Sequence, residues 1–152
     1  MQFSSALISA ITVALASAAT IGQRDEAVFK VSDFSAGCIQ HSTQCLYHFT
    51  LIQPGTMETV GVECSALVSA YTNGSLPNIG KWQGKCKDSS RTFWVVRQNE
   101  GLKLWASQPV TPASNQTASH LLPGTDFEMI KYSIGSVDSY TGPTAFDLTY
   151  DW

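Results

Sequence analysis

The chain has 152 residues, of which 14% are charged, and its formal net charge is −3 at pH 7. So mild a charge predicts solubility and no particular attraction to nucleic acid or to an anionic membrane. The residues that remain after the predicted signal peptide suffice for one domain with one core, but not for two.

The first 18 residues are predicted to be a secretory signal peptide that is removed. An uncharged, apolar or small-residue stretch runs from Ala6 to Ala16, and Ala16-Ser17-Ala18 then fits the small-residue rule for signal peptidase. The stretch is too short to span a membrane, and no later segment reaches that length. We therefore expect cleavage after Ala18, with Ala19 as the alternative, and one secreted domain over residues 19–152 without stable membrane insertion.

The following residues read as short strands, because β-branched and aromatic runs recur between Gly, Pro, Asn and Ser. The strongest is 44–53, where Cys45, Tyr47, Phe49 and Leu51 fall on one face. The other predicted strands are 27–34, 57–64, 125–134, 142–152 and the two arms of a hairpin over 91–107.

Turn signals complete the predicted order of elements. Asn99-Glu100-Gly101 lies between the arms of the hairpin, and glycine supplies a residue able to adopt φ > 0 there. Residues 65–71 could extend a strand or form a short helix. Residues 107–124 hold three prolines and many small polar residues, which predicts a long surface connection. The pattern predicts an all-β, single-domain antiparallel β-barrel or β-sandwich, and it does not separate the two.

Four cysteines in a small secreted chain predict two disulfides, with three possible pairings. We favour Cys38–Cys45, which closes a short loop ahead of a strand, and Cys64–Cys86, which ties a strand to a later segment. The chain-entropy model puts their contributions at roughly 2.5 and 3.4 kcal/mol.

The spacing Cys38-x2-His41-x3-Cys45-x2-His48 could also be a metal site. Zinc binding needs reduced thiolates, which an oxidising secretory route does not supply, and the histidines follow the cysteines too closely for an ordinary structural zinc site. We therefore expect no metal and no cofactor. Two sequons, at Asn73 and Asn115, lie in turn-like sequence and mark possible N-glycosylation sites at the surface.

A basic segment is the main candidate for a partner-binding patch. Its only acid is Asp88, and the aromatic side chains among its basic residues provide platforms for binding. The patch consists of Lys81, Trp82, Lys85, Lys87, Arg91 and Arg97, with Trp94 among them. The alternative, which we favour, is a solvated hairpin edge whose lysines discourage strand pairing.

No catalytic motif is present: neither G-x-S-x-G nor a glycine-rich nucleotide loop occurs. We therefore expect no catalytic residue. A ribonuclease-like site of His48, Glu63 and Arg97 is one alternative. Without such a site, His48 is a residue on the face of a sheet, His41 lies at the top of the disulfide loop and His120 makes a hydrogen bond in a loop. A carbohydrate-binding module is the other, because four tryptophans could form a sugar platform, although buried core tryptophan is the commoner explanation. These tryptophans are Trp82, Trp94, Trp105 and Trp152.

Several stretches resemble small secreted fungal proteins related to the Alternaria major allergen and, within that group, the hypersensitive response-inducing proteins of blast-type plant pathogens. They are VSDFSAGCIQHSTQCLYHF (31–49), ECSALV (63–68), GLKLWASQPVTP (101–112), SHLLPG (119–124) and YTGPTAFDL (140–148). The similarity covers nearly all of the chain after the signal peptide.

This resemblance implies a secreted effector or elicitor that acts in the plant apoplast, induces cell death and defence responses, and can support virulence. It implies a mostly antiparallel β fold with disulfides and carries over no catalytic residue. The partner expected from it is a plant host surface protein or receptor. The departure from the Alternaria allergen is large, so we expect a monomer rather than that protein's dimer.

Overall fold

A computed structural model describes residues 26–133 and 135–151, so the predicted signal peptide lies outside the described residues. The described chain forms ten strands and one 3-10 turn at Gly124–Asp126. The strands are β1 (Phe29–Cys38), β2 (Gln44–Ile52), β3 (Val62–Ser69), β4 (Ile79–Cys86), β5 (Thr92–Gln98), β6 (Gly101–Thr111), β7 (Ser114–Pro123), β8 (Phe127–Tyr132), β9 (Gly135–Tyr140) and β10 (Phe146–Leu148).

The strands form one antiparallel sheet that curls into a nearly closed barrel. Its order is β7-β6-β5-β4-β3-β2-β1-β9-β8, and β10 also pairs with β1. The barrel closes just after β10, where the Ser119 amide donates to the Thr149 carbonyl at 2.8 Å and the Thr149 amide donates back at 3.1 Å. The predicted all-β antiparallel class is therefore confirmed, and the barrel is the form that it takes.

Strand β1 pairs with β2 along one edge and with two strands, β10 and then β9, along the other. Its first residues pair with β10, from Phe29 opposite Leu148. The register then shifts near Asp33, which has a φ of 52°. Beyond the shift, Gly37 pairs with Ser139 of β9. The β8–β9 hairpin therefore extends the sheet beyond the barrel, beside the Cys38 end of β1.

The alternation predicted for β2 places its inner face in the core. Cys45, Tyr47, Phe49 and Leu51 are all fully buried, while the residues between them face outward. The Phe49 ring packs edge-on against Phe93 of β5, with ring centroids 4.9 Å apart. Burying side chains of this size is worth roughly 1.5–3 kcal/mol each, so this strand contributes strongly to the core.

Both predicted disulfides are confirmed. Cys38 bonds to Cys45 and Cys64 bonds to Cys86. In each case the two cysteines lie directly opposite one another on neighbouring strands. The bonds therefore staple β1 to β2 and β3 to β4.

The surface connection predicted for residues 107–124 is wrong. These residues complete β6 and form β7, which together make the longest hairpin in the described chain, with Leu104 and Ala118 among its buried residues. The prolines are tolerated because they avoid the middle of the ladder: Pro109 lies near the turn, Pro112 in it, and Pro123 ends β7.

Several other boundaries differ from the sequence predictions. Residues 57–61 form a loop, so β3 begins only at Val62, and residues 65–69 extend that strand rather than forming a helix. The hairpin predicted over 91–107 is confirmed as β5 and β6. Within it, a side chain on Gly101 would collide with the Leu122 carbonyl, so glycine is needed there. Strands β4 and β9 were not predicted.

Candidate functional site: a tryptophan row on the barrel wall

Strand β4 makes an outward excursion over Gly80–Gln83. Ile79 pairs with Val95 and Gly84 pairs with Phe93, so β4 carries three more residues than β5 between the same two pairs. The return to the sheet needs glycine at position 84, because a Cβ there would lie 2.6 Å from the Phe93 ring. We call these four residues, Gly80–Gln83, the β4 excursion.

The β4 excursion presents Trp82 outside the barrel. Its φ is 63°, a conformation that bulky side chains rarely adopt. The Lys85 ammonium donates to the Trp82 carbonyl at 3.2 Å and so ties the excursion to the strand that follows. The Trp82 side chain remains 47% exposed.

Three tryptophans from three adjacent strands then form a row, the tryptophan row of Trp82, Trp94 and Trp105. Trp94 and Trp105 are paired in register and stack nearly parallel, with centroids 5.9 Å apart. Trp82 meets Trp94 edge-on at 6.4 Å. Phe93 and Val95 occupy the core, so Trp94 points outward, yet it is only 6% exposed because its neighbours cover it.

Lysines flank both ends of the tryptophan row. The Lys81 Nζ lies 4.6 Å from the Trp82 ring centroid and 5.8 Å from that of Trp94. At the other end the Lys103 Nζ lies 5.1 Å from the Trp105 centroid and 2.7 Å from an Asp151 carboxylate oxygen. The hydrogen bond from Lys103 lowers the pKa of Asp151. Lys103 and Asp151 were not among the predicted site residues.

Four members of the predicted patch belong to this surface. Lys81 and Trp82 lie in the β4 excursion, and Lys85 follows on the outward side of β4 because its neighbour Cys86 points inward. Lys87 is exposed, and its amide continues the ladder by donating to the Glu63 carbonyl at 2.7 Å.

Arg91 does not share the surface. It is only 7% exposed and makes a bidentate ion pair with Glu58, with both N–O distances 2.8 Å. It also donates to the Leu51 carbonyl and to the Gln108 side chain. The hydrogen bond from Arg91 lowers the pKa of Glu58. Arg91 therefore anchors the loop over residues 53–61 to the barrel.

Arg97 is on β5, three residues after Trp94 and near the end of the strand, and it has a structural position. Its guanidinium donates to the Leu76 carbonyl at 2.9 Å and lies 3.6 Å from the carboxylate of Asp138. That carboxylate accepts a hydrogen bond from the Leu76 amide. Arg97 thus holds the loop before β4 against β9.

The proposed ribonuclease-like trio is not brought together. His48 and Glu63 share the outer face as diagonal neighbours, since His48 pairs with Ser65 and Thr50 pairs with Glu63. Arg97 is on β5, which lies three strands along the sheet from β2, or roughly 14 Å at ordinary strand spacing. Its guanidinium is also already engaged.

The remaining histidines have separate surroundings. His120 is partly buried, and this burial lowers its pKa. His41 has a φ of 61° in the loop closed by Cys38–Cys45. There it borders a groove of about 790 Å³, which Tyr71 and Tyr132 also line.

The two sequons have exposed asparagines. Asn73 lies in a turn at the rim of the same groove, where its side-chain oxygen accepts a hydrogen bond from the Ser75 amide at 3.1 Å. Asn115 lies in β7 near the β6–β7 turn, opposite Pro109. Both are therefore open to the solvent, although only Asn73 lies in a turn as predicted, whereas Asn115 belongs to a strand. Of the four tryptophans proposed as a sugar platform, Trp152 lies outside the described residues.

Comparisons with models of protein families, with curated proteins and with solved structures find no match to this chain.

Within residues 26–133 and 135–151, no three His, Cys, Asp or Glu side chains are grouped so that they could hold a metal ion. The same residues contain no helix of the length and hydrophobicity required to cross a membrane.

Proposed function

We propose that the protein is a secreted fungal elicitor, detected by a plant host surface protein or receptor through its folded surface rather than through catalysis. The observation that carries the proposal is the pair of disulfides that staple four consecutive strands. Such bonds persist in oxidising compartments, which is consistent with secretion. They also keep the exposed loops in fixed positions, as recognition by shape requires.

The exposed surface has side chains suited to recognition. Tryptophan is one of the side chains that most often dominate binding energy at protein interfaces, and Trp82 of the tryptophan row is exposed. The loop held by Arg91 also exposes 98% of Met57 and 81% of Val60. We propose that a monomer presents these features in the apoplast, without nucleic acid as a partner.

Infiltration of the purified protein into host leaves tests this function. We expect local cell death, measured as ion leakage, from the native protein and none from protein that has been reduced and alkylated. Equal leakage from both samples would show that the folded surface is irrelevant. No leakage from the native protein would refute the elicitor function itself.

His48→Ala separates this proposal from the ribonuclease-like alternative. The His48 side chain lies on the outer face of β2, so its removal should leave the barrel intact. A surface-recognised elicitor should keep its cell-death activity, apart from any direct contact at this one position. Cleavage of RNA by the native protein that His48→Ala abolishes would instead support the enzyme.

A further inference from the structure

The β4 excursion and the two lysines after it form a narrow outward strip. Lys81, Trp82 and Lys85 lie on β4 and Lys87 directly follows it, and all four are exposed. Lys85 and Lys87 are two residues apart and share a face, so their Cα atoms are separated by about 7 Å. The strip therefore places an exposed aromatic ring in line with three positive charges.

The backbone at Trp82 is strained to produce this arrangement. A bulky residue with a φ of 63° is strained, and such strain persists only where the surroundings enforce it. Here Lys85 holds the Trp82 carbonyl, and Trp94 and Lys81 pack against the ring. Strained residues are concentrated at ligand-binding positions, so the exposed ring at the centre of the strip is a candidate contact for a ligand.

The charges around the strip restrict the class of ligand. Glu63 and Asp88 lie beside Lys87, and the whole chain has a net charge of −3. A densely charged polyanion such as nucleic acid would be repelled by these neighbours and would find only three cations. A polymer with single, spaced negative charges and ring-shaped units fits this strip better than a densely charged polyanion does.

We propose that this strip binds an acidic polysaccharide whose sugar units carry carboxylates. The apolar face of one sugar ring packs on Trp82, and carboxylates of neighbouring units pair with Lys85 and Lys87. Lys81 lies over the Trp82 ring and adds its charge there, so the sugar is placed on the part of the ring that Lys81 leaves exposed. Trp94 meets the Trp82 ring edge-on and is itself stacked on Trp105. This binding site goes beyond the elicitor function and does not depend on it.

Three soluble polymers test the ligand class, with isothermal titration calorimetry on the purified protein at low and at physiological salt. Polygalacturonate is expected to bind, and its binding should weaken as salt is raised. Its fully methyl-esterified form has the same rings without the charges and should bind at least about tenfold more weakly. Poly-L-glutamate has the charges without the rings and should also bind at least about tenfold more weakly.

Each alternative result overturns the proposal in its own way. Equal binding of the esterified polymer would show that the carboxylates are irrelevant. Equal binding of poly-L-glutamate would assign the strip to acidic peptides or to charge alone. No binding of polygalacturonate at low salt would show that the strip is not a binding site for acidic polysaccharides.

Variants locate the binding site on the protein. Trp82→Ala should weaken polygalacturonate binding at least about tenfold, and Lys87→Gln should weaken it several-fold. Lys87→Gln changes only an exposed side chain, so it still tests the binding site if Trp82→Ala fails to fold. Lys131→Gln, an exposed lysine on β8, is the matched control and should bind as the native protein does. An equal loss in Lys131→Gln, or none in Lys87→Gln, would contradict the assignment.

The binding experiment and the leaf assay test the two proposals separately. Binding to polygalacturonate without cell death would retain the site and refute the elicitor function. Cell death without binding to polygalacturonate would retain the elicitor function and refute the binding site.

Discussion

His120 and Phe146 stack with their ring centroids 4.4 Å apart at the seam where the barrel closes. His120 is on β7 and Phe146 is on β10, so the contact spans the seam beside the isolated bridge between Ser119 and Thr149. Across this seam β10 connects β7 to β1, and the packing of the two rings replaces part of a missing hydrogen-bond ladder.

This seam should make stability sensitive to acid. Burial lowers the pKa of His120, against the opposing effects of a hydrogen bond to the Asp147 backbone and of the Asp147 and Asp126 charges. Because the unfolded chain then binds the proton more readily, the free energy of unfolding should fall as pH drops below about 6.5, until the folded pKa is reached.

Urea unfolding at pH 7.5, 6.5, 5.5 and 4.5 measures this effect. His120→Gln cannot titrate, so its stability should change less than that of the native protein between pH 6.5 and 5.5. His48→Gln, on the outer face of β2, is the matched control. A pH dependence unchanged in His120→Gln would rule out the seam as its source.

The ion pair between Glu58 and Arg91 should contribute far more than the one between Lys103 and Asp151. Arg91 is buried, so Glu58→Gln leaves its charge without a counter-ion, at a cost of about 3 kcal/mol. Asp151 is well exposed, and Asp151→Asn should cost less than about 1 kcal/mol. Denaturant unfolding at pH 7 compares the two, and equal losses would contradict the structural role of Arg91.

The same pair predicts a second effect of pH. Arg91 lowers the pKa of Glu58 in the folded protein, so this stabilisation is present above the ordinary value of 4.5 and is lost as pH falls through the folded pKa. Glu58→Gln should therefore differ most from the native protein at neutral pH and should approach it in strong acid. A constant difference across this range would mean that the carboxylate charge is not the cause.

The two disulfides should differ in their contributions. Loss of the longer-range Cys64–Cys86 bond, as Cys64→Ala with Cys86→Ala, should cost about 3.4 kcal/mol, against about 2.5 kcal/mol for Cys38–Cys45. Cys64 and Cys86 are also both buried, so the alanines leave a cavity that adds to the larger cost. Guanidinium unfolding of the two double variants gives the order, and the reverse order would contradict this account.

Sequence periodicity predicted the elements in which it was regular. In β2 four alternate residues are apolar, and all four are buried. In β4 the three extra residues of the Gly80–Gln83 excursion break the alternation, so no strand could be recognised there. The loop predicted for residues 107–124 is wrong because prolines at the ends of strands look, in sequence, like prolines in a connection.

The tryptophan row was predictable in part. The predicted hairpin already places Trp94 and Trp105 on neighbouring strands, but its turn was predicted as Asn99-Glu100-Gly101. The observed two-residue turn at Asn99 and Glu100 sets the register in which the two tryptophans pair. The contact of Trp82 with Trp94 depends on a backbone excursion and a positive φ, which no pattern in the sequence signals. The prediction that Arg91 belongs to the exposed patch is wrong. Arg91 is close to the lysines in sequence, but its side chain is buried in an ion pair with Glu58.

Gly84 should tolerate no side chain, because it lets the β4 excursion return to the sheet. A Cβ at this position would lie 2.6 Å from the Phe93 ring and from the Phe93 carbonyl oxygen, in a fully packed part of the core. Gly84→Ala should therefore cost roughly 1–3 kcal/mol through overpacking, measured by denaturant unfolding.

Gly37→Ala is the matched control for this test, because its nearest contact would be an ordinary 3.6 Å from the Ser139 side chain. It should change stability by less than about 1 kcal/mol. Because the tryptophan row packs over the same strands, Gly84→Ala should also shift the intrinsic tryptophan fluorescence, whereas Gly37→Ala should not. Equal stability of the two variants would show that the close approach of β4 to Phe93 does not constrain the excursion.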